Sequence, residues 1–171
     1  MPIFQPELET MSRPELERLQ SDRLRARFGI EREQLAETPH RYVVSKGPQH
    51  AEYELAENMV GEEFLPQTSV LPHIDAVITH GGNNTTTECM WFGKPMLVLP
   101  VFWDQHDNAQ RVHETGYGIR LPTYDFAHGE LAAALDRVLS DGELRDRCAA
   151  AGERLRRRPG TELAAALIEA L

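Results

Sequence analysis

Short apolar runs alternate with longer amphipathic segments from about residue 38 to the C-terminus. Three of these runs are brief, apolar and partly β-branched: RYVVS (41–45), AVIT (76–79) and MLVLP (96–100). This pattern predicts buried parallel strands. Two further runs are weaker strand candidates, MVGEEF (59–64) and YGIRL (117–121).

Helical periodicity fills the segments between and after these runs. It predicts helices over Thr85–Phe92, Gln105–Glu114, Gly129–Leu139, Glu143–Arg157 and Glu162–Leu171. The last of them places Leu163, Leu167, Ile168 and Leu171 on one face. Ser140-Asp141-Gly142 separates two helices, and its serine or aspartate can cap the second one. Strands that alternate with helices predict an α/β fold with a Rossmann-like, doubly wound parallel sheet.

Residues 1–37 differ from the rest because they are dense in charged side chains. Leu16, Leu19, Leu24 and Phe28 recur there at roughly helical spacing, which predicts an amphipathic helix that starts near Pro14. The sequence therefore divides into a charged helical leader, residues 1–37, and an α/β domain, residues 38–171. No function is visible in the leader.

Composition narrows the possible partners and location. The 171 residues carry a formal net charge of −9 and include two cysteines, Cys89 and Cys148. Net negative charge argues against nucleic acid and anionic membrane surfaces as partners. Two cysteines do not form a disulfide framework, and no apolar run approaches the length of about 18 residues that spans a membrane. The acidic N-terminus lacks a signal-peptide pattern, so we expect a cytoplasmic protein.

The stretch THGGNNTTTE (79–88) follows the apolar run AVIT directly. Glycines let the backbone approach a ligand, and a helix that opens near Asn84 or Thr85 offers free N–H groups to an anion. With His80 and the threonine hydroxyls, this arrangement predicts a metal-free pyrophosphate site. It is neither a P-loop nor a GxGxxG motif. A structural alternative remains, since TTTE also fits a capping box in which Glu88 closes the first turn.

A second polar pair, Asp104 and Gln105, follows the run MLVLP and opens another helix. Neighbouring parallel strands would bring this pair to the same edge as Gly81-Gly82. Beside a phosphate site, the pair is suited to hydrogen-bonding the hydroxyls of a sugar. Asp104 as a simple N-cap is the alternative.

Read in order, FLPQTSVLPH, THGGNNTTTE and GKPMLVLPVFWDQHDNAQR resemble the donor-binding signature of UDP-dependent glycosyltransferases of the GT-B fold. That family includes macrolide, plant secondary-metabolite and glucuronosyl transferases. The resemblance covers residues 38–171, is sharpest from Phe64 to Gln105, and implies the C-terminal, nucleotide-sugar-binding domain only. Phe64 stands where plant members carry Trp. The family's first strand of this domain is not matched by the charged leader.

The resemblance implies roles for individual residues in three groups. Those implied at the donor phosphates are His80, Gly81, Gly82, Asn84, Thr85 and Thr86. Those implied at the nucleoside are Phe64, by stacking on the base, Gln67, and Glu88, which would hold the ribose hydroxyls. Those implied at the donor sugar are Asp104 and Gln105. No residue matches the family's catalytic base, and His106 and His113 fit a solvated helix surface better than that role.

The resemblance implies a hexosyltransferase domain that takes a UDP-sugar as co-substrate, with no further cofactor and no metal. The implied reaction is inverting transfer to the hydroxyl of a small-molecule acceptor. Because the acceptor half is not matched, the implied partner is a separate acceptor-domain subunit, or the chain self-associates. Two alternatives stay open: a non-catalytic nucleotide-sugar binding module, and a nucleotide-sugar epimerase, which the Asp104-Gln105 pair disfavours.

Overall fold

Strands and helices alternate along the part of the chain that the structure describes. The structure is a computed structural model, and it describes Ser12, residues 32–48 and residues 50–170. Residues 32–36 are helical. The amphipathic helix predicted from Pro14 otherwise lies outside the described residues, and the domain boundary at residue 37 stays a prediction.

The described strands form two parallel sheets. They are β1 (Tyr42–Ser45), β2 (Met59–Glu62), β3 (Val77–Thr79), β4 (Met96–Val98) and β5 (Gly118–Arg120). β1 pairs with β2, with Tyr42 opposite Met59. The second sheet has the order β3-β4-β5, with Val77 opposite Met96 and Met96 opposite Gly118. All five predicted strands are therefore present, including the two weaker candidates.

Besides the helical residues 32–36, the described residues form six α-helices. Five of them fall within one to two residues of the predicted bounds, and the short first one was not predicted. The six are α1 (Gln67–Val70), α2 (Asn83–Phe92), α3 (Asp104–Glu114), α4 (Glu130–Ser140), α5 (Gly142–Arg157) and α6 (Gly160–Glu169). The predicted break before α5 is confirmed, because the Leu144 N–H donates to Asp141 Oδ1 at 2.9 Å. Single 3₁₀ turns at His50–Glu52 and Leu71–His73 complete the elements.

β4 lies at the centre of the core, since its two faces belong to two different hydrophobic clusters. Leu97 and the following Leu99 pack with α4 residues in the first cluster, which includes Leu131, Leu135 and Val138. Met96 and Val98 pack on the opposite face with residues of α2 and α3 in the second cluster, which includes Cys89, Ala109 and Val112. Helices therefore cover both faces of the sheet, which confirms the doubly wound α/β class.

Both cysteines are free and buried. Burial raises the pKa of the Cys89 thiol to about 12 and that of Cys148 to about 11. Both side chains therefore stay protonated and pack as small apolar groups between α2 and α5.

β1 is less buried than the sequence suggests, and its partner β2 is also partly exposed. Val43 is 48% exposed and Val60 is 65% exposed, while every residue of β4 is buried. The expectation of a buried strand is therefore right for β4 and wrong for β1. The physical reason is that β1 bonds to β2 alone among the described strands, and alternate side chains along it face outward.

α6 carries its predicted apolar face but does not bury it. Leu163, Leu167 and Ile168 are 46%, 63% and 70% exposed, and no residue of this helix is buried. Within residues 32–48 and 50–170, no helix combines the length and apolar character that crossing a membrane requires.

Candidate functional site

A cavity of about 420 Å³ opens at the edge where β3 and β4 end. It lies between the residue that follows β3, the start of α2 and the start of α3. The residues that line it are His80, Gly82, Asn83, Asn84, Thr85 and Asp104. The structure thus brings together the two motifs that the sequence places on neighbouring strands.

Two glycines shape the turn at the mouth of this cavity. Gly81 has a φ of +85°, and a Cβ there would meet Val98 Cγ1 at 2.7 Å. A Cβ on Gly82 would meet His80 Nε2 at 2.7 Å. The turn therefore rests directly on the core strand, and the His80 imidazole lies against the start of α2 only because Gly82 has no side chain.

The N-terminus of α2 is not capped by a side chain. The helix begins at Asn83, its N-cap is Gly82, and its first turn contains no acidic residue. The first N–H groups of the helix, on Asn83, Asn84 and Thr85, have no acceptor within the helix, and these residues line the cavity. This end of α2 also carries the positive end of the helix dipole. The arrangement suits an anion.

Glu88 has a tertiary partner instead of a capping role. Its Oε2 accepts a hydrogen bond from Gln67 Nε2 at 2.5 Å, and the same amide donates to Thr85 Oγ1 at 3.3 Å. The capping-box interpretation of TTTE is wrong, because α2 starts two residues before Thr85. Gln67 and Glu88, both predicted at the nucleoside, are therefore in contact with each other, beside Thr85, which lines the cavity.

Asn108 connects three parts of the site and was not identified from the sequence. Its Nδ2 donates to Gly81 O at 2.9 Å, to Asn83 Oδ1 at 3.0 Å and to Asp104 Oδ2 at 3.2 Å. The available signal was its position four residues after Asp104, on the same face of α3.

Asp104 and Gln105 differ in their position relative to the cavity. Asp104 lines the cavity as the first residue of α3, so the N-cap interpretation is wrong; the N-cap position belongs to Trp103. Gln105 is 5% exposed, and its Oε1 accepts from the N–H groups of Val101 and Phe102 at 3.0 and 3.2 Å. Gln105 therefore holds the loop between β4 and α3.

Several predicted or considered residues lie outside the cavity lining. Phe64 is 68% exposed, and His106 and His113 are exposed on α3. Thr86 Oγ1 is buried with no hydrogen-bond partner among the described residues. The roles predicted for Phe64 and Thr86 stay predictions.

No group of three His, Cys, Asp or Glu side chains within the described residues is arranged to hold a metal ion. Whether a metal takes part stays a prediction from the sequence. The side chains that meet at the cavity are instead amide, hydroxyl, imidazole and single carboxylate groups.

Residues 33–170 match the family described as the C-terminal domain of erythromycin biosynthesis protein CIII-like proteins. The chain is 38% identical over 113 residues to NDP-glycosyltransferase YjiC of Bacillus subtilis, which covers 66% of the chain and 29% of that protein. It is 32% identical over 117 residues to the demethyllactenocin mycarosyltransferase of Streptomyces fradiae, which covers 68% of the chain and 25% of that protein.

Solved glycosyltransferase structures share the fold. The glycotransferase of kitacinnamycin superimposes with a TM-score of 0.76 at 30% identity, over 84% of this chain and 38% of the other. The calicheamicin glycosyltransferase CalG4 superimposes with a TM-score of 0.74 at 27% identity, over 85% and 38%. The chain spans well under half the length of each of these proteins.

Proposed function

Because the chain belongs to the family of erythromycin biosynthesis protein CIII-like C-terminal domains, whose relatives are glycosyltransferases, we propose that it binds the nucleotide-sugar donor. The proposed donor is a UDP-sugar, and the proposed reaction is inverting transfer of its hexosyl group to the hydroxyl of a small molecule. In this proposal the acceptor-binding site and the catalytic base are supplied by residues other than these.

The uncapped start of α2 is the observation that carries this proposal. A glycine N-cap, three free N–H groups and no acidic residue in the first turn form a site for a diphosphate. His80 lies against this end of the helix, so its imidazole adds a donor on the same side. During transfer, negative charge builds on the leaving diphosphate. Donors fixed in place before the reaction stabilise that charge.

The nucleoside is assigned to the cluster of Gln67, Thr85 and Glu88. Glu88 Oε2 accepts from Gln67 Nε2 at 2.5 Å. A carboxylate accepts hydrogen bonds through both of its oxygens, so Glu88 has capacity for the hydroxyls of a ribose. In this proposal the exposed ring of Phe64 stacks on the base.

The sugar is assigned to the Asp104 side of the cavity. Its carboxylate lines the cavity, and Asn108 fixes its Oδ2 at 3.2 Å. A carboxylate held this way is suited to accepting hydrogen bonds from hydroxyl groups. Because Gln105 Oε1 already serves two backbone N–H groups, its contribution to sugar binding is through its Nε2 group.

Calorimetric titration with UDP tests the proposal. We expect heat of binding for the chain, and an affinity at least about tenfold lower for His80→Ala, since a hydrogen bond to a charged group contributes about 1.5–3 kcal/mol. His106→Ala is the matched control. It removes an imidazole that is exposed on α3 outside the cavity lining, so its affinity should stay within twofold of wild type. The absence of heat at millimolar UDP contradicts the proposal.

Glu88→Gln separates nucleoside recognition from a structural role. With UDP we expect an affinity about tenfold lower, because an amide offers one acceptor oxygen where the carboxylate offers two. With 2′,3′-dideoxy-UDP, which lacks both ribose hydroxyls, the variant and wild type should differ by less than twofold. Equal losses with both nucleotides, or a loss of thermal stability without any change in affinity, would show that Glu88 does not contact the ribose.

A further inference from the structure

Asn83 is a polar residue of the cavity whose side chain has no assigned role. It is the first residue of α2, it is exposed, and it lines the cavity together with Asp104. Its backbone N–H belongs to the free amides that open the helix. Its side-chain amide is a separate group, with two hydrogens to donate and an oxygen that accepts. The orientation of that amide decides what the side chain can bind.

Asn108 has an amide orientation that its surroundings fix. Its Nδ2 lies 2.9 Å from Gly81 O and 3.2 Å from Asp104 Oδ2. A carbonyl and a carboxylate only accept hydrogen bonds, so the group of Asn108 that faces them is the NH2 group. The opposite orientation would place Asn108 Oδ1 against two other acceptors. The hydrogen-bond network therefore permits one orientation of this amide.

The orientation of the Asn83 amide follows from that of Asn108. Asn83 Oδ1 accepts from Asn108 Nδ2 at 3.0 Å. Turning the Asn83 amide over would bring two NH2 groups together and lose this hydrogen bond. The Asn83 NH2 group is therefore the part of the side chain that Asn108 does not engage. It donates to no protein group in the part of the chain that the structure describes.

Asn108 itself is not placed to bind a ligand. The two hydrogens of its NH2 group already face three acceptors, and the residue is not part of the cavity lining. It joins the turn after β3 to the first residues of α2 and α3. Any effect of Asn108 on a ligand therefore acts through the groups that it holds.

Asn83 and Asp104 place a hydrogen-bond donor beside an acceptor. Asn83 Oδ1 and Asp104 Oδ2 both lie within 3.2 Å of the same nitrogen, and both residues line the cavity. A hydroxyl donates and accepts at once, so it is complementary to such a pair. A phosphate oxygen only accepts, and the Asp104 carboxylate repels it. The pair therefore favours a sugar hydroxyl over a phosphate.

We propose that Asn83 is a sugar-binding residue and that Asn108 is a positioning residue. Asn83 Nδ2 donates to a hydroxyl of the donor sugar, on the side of the cavity where Asp104 accepts. Asn108 holds both side chains in the orientation that this contact requires. The inference rests on the proposed function, and it extends the sugar site from Asp104 to the first side chain of α2.

Calorimetric titrations of the full chain with UDP-glucose and with UDP test the role of Asn83. Asn83→Ala removes the side-chain donor and keeps the backbone N–H. We expect its affinity for UDP-glucose to be about three- to tenfold lower, which corresponds to one hydrogen bond between neutral groups. Its affinity for UDP should stay within twofold of wild type. Gln110→Ala is the matched control, because it removes an exposed amide of α3 outside the cavity lining. It should leave both affinities within twofold.

UDP-glucose analogues that lack one hydroxyl, at carbon 2, 3, 4 or 6 of the sugar, identify the contact. With one of the four, wild type and Asn83→Ala should differ by less than twofold, because the hydroxyl that receives the hydrogen bond is missing. With the other three, the difference seen with UDP-glucose should persist. A difference that persists with all four analogues would show that Asn83 does not bind a sugar hydroxyl.

Asn108→Ala tests positioning, since it releases Asn83 and Asp104 together. We expect its loss of affinity for UDP-glucose to exceed its loss for UDP at least fivefold. When Asn83 and Asp104 are both already alanine, adding Asn108→Ala should increase that excess by less than twofold. A purely structural role would lower both affinities equally. Asn108→Asp keeps the side-chain volume and removes the donor, so it should show the same excess if the alanine variant fails to fold.

The two ligands also separate this inference from the proposed function. The absence of heat with both UDP and UDP-glucose contradicts the proposed function and this inference with it. Heat with UDP, combined with equal effects of Asn83→Ala on the two ligands, overturns this inference and leaves nucleotide binding in place.

Discussion

Trp103 combines strain with exposure at the rim of the candidate site. Its φ is 52° and its ψ is −133°, and it is the one non-glycine residue with positive φ in the described part of the chain. The side chain is 84% exposed, and it makes a T-shaped contact with the ring of Phe102, with ring centroids 5.3 Å apart. Burial of the Trp103 side chain therefore offsets little of the free energy that its strained backbone costs.

Replacing this residue by glycine should stabilise the protein. Such a backbone conformation costs about 1–3 kcal/mol for a side-chain-bearing residue, against about 0.5–1 kcal/mol for the added entropy of glycine. We expect Trp103→Gly to raise the midpoint of thermal unfolding by a few degrees. Trp103→Ala keeps the strain and should leave the midpoint close to that of wild type. A lower midpoint for the glycine variant would show that the indole itself stabilises the loop.

Among individual residues, the sequence correctly predicted those that lie between an apolar strand and the helix that follows it. His80 and Asp104 were predicted at one rim because each lies between a recognisable strand and the next helix, and both line the same cavity. Asn108 was missed because its three hydrogen bonds join a loop, α2 and α3. Gln105 was assigned to a ligand, yet burial turned its amide oxygen toward its own loop.

The packing of α2 against α5 positions the helix that faces the cavity. Gly152 lies at a close contact between the two helices: a Cβ there would meet Gly93 N at 2.9 Å and Trp91 O at 3.0 Å. Both neighbours are backbone atoms at the end of α2, so they cannot turn aside as a flexible side chain would. The contact fixes the distance between the two helices.

Adding one methyl group at this contact should destabilise the protein. We expect Gly152→Ala to lower the free energy of unfolding in urea by about 1–3 kcal/mol, the cost of overpacking. Gly142→Ala is the matched control in the same helix, since nothing lies within 4 Å of its added Cβ. That variant should gain about 0.4–1 kcal/mol through a less flexible unfolded chain. Equal effects of the two substitutions would contradict the close-approach argument.

The presence of the helices was predictable from the sequence, but the residue at which α2 begins was not. α2 begins at Asn83, two residues before the predicted Thr85, because its N-cap is a glycine and no side chain caps it. Sequence rules locate helix starts by capping side chains. A start kept free of such side chains is therefore placed too late by those rules.

The backbone hydrogen bonds between strands divide the molecule into two separate sheets. The β1–β2 sheet has no backbone pairing with the β3–β4–β5 sheet. It is joined to the rest by contacts such as Tyr42 against the first cluster and His40 Nε2 with Asp136 Oδ1 at 2.8 Å. That pair of polar side chains is exposed, so its contribution is small.

Native-state hydrogen exchange should distinguish the two sheets. The amides of Leu99 and Leu121 bond across the buried sheet, and those of Tyr42 and Lys46 bond from β1 toward β2. We expect the first two to exchange through global unfolding, and the second two at least tenfold faster through opening of β1–β2 alone. Equal protection of all four amides would show that the two sheets unfold together.

The fold class of the whole molecule was predictable from the sequence, but which strands lie next to each other was not. Periodicity identifies each strand from local residues, such as the fully buried β4. Which edges meet depends on contacts between distant segments. The exposed Val43 belongs to a run whose composition alone suggests burial, so the open edge of β1 appeared only once the strands were assembled.

The cavity has opposite electrical character at its two sides. The amides that open α2 present partial positive charge, and the Asp104 carboxylate presents a full negative charge on the α3 side. A molecule that is anionic at one end and neutral at the other gains in one head-to-tail orientation and is repelled in the reverse one. This asymmetry sets the direction in which such a molecule enters before any shape-specific contact forms.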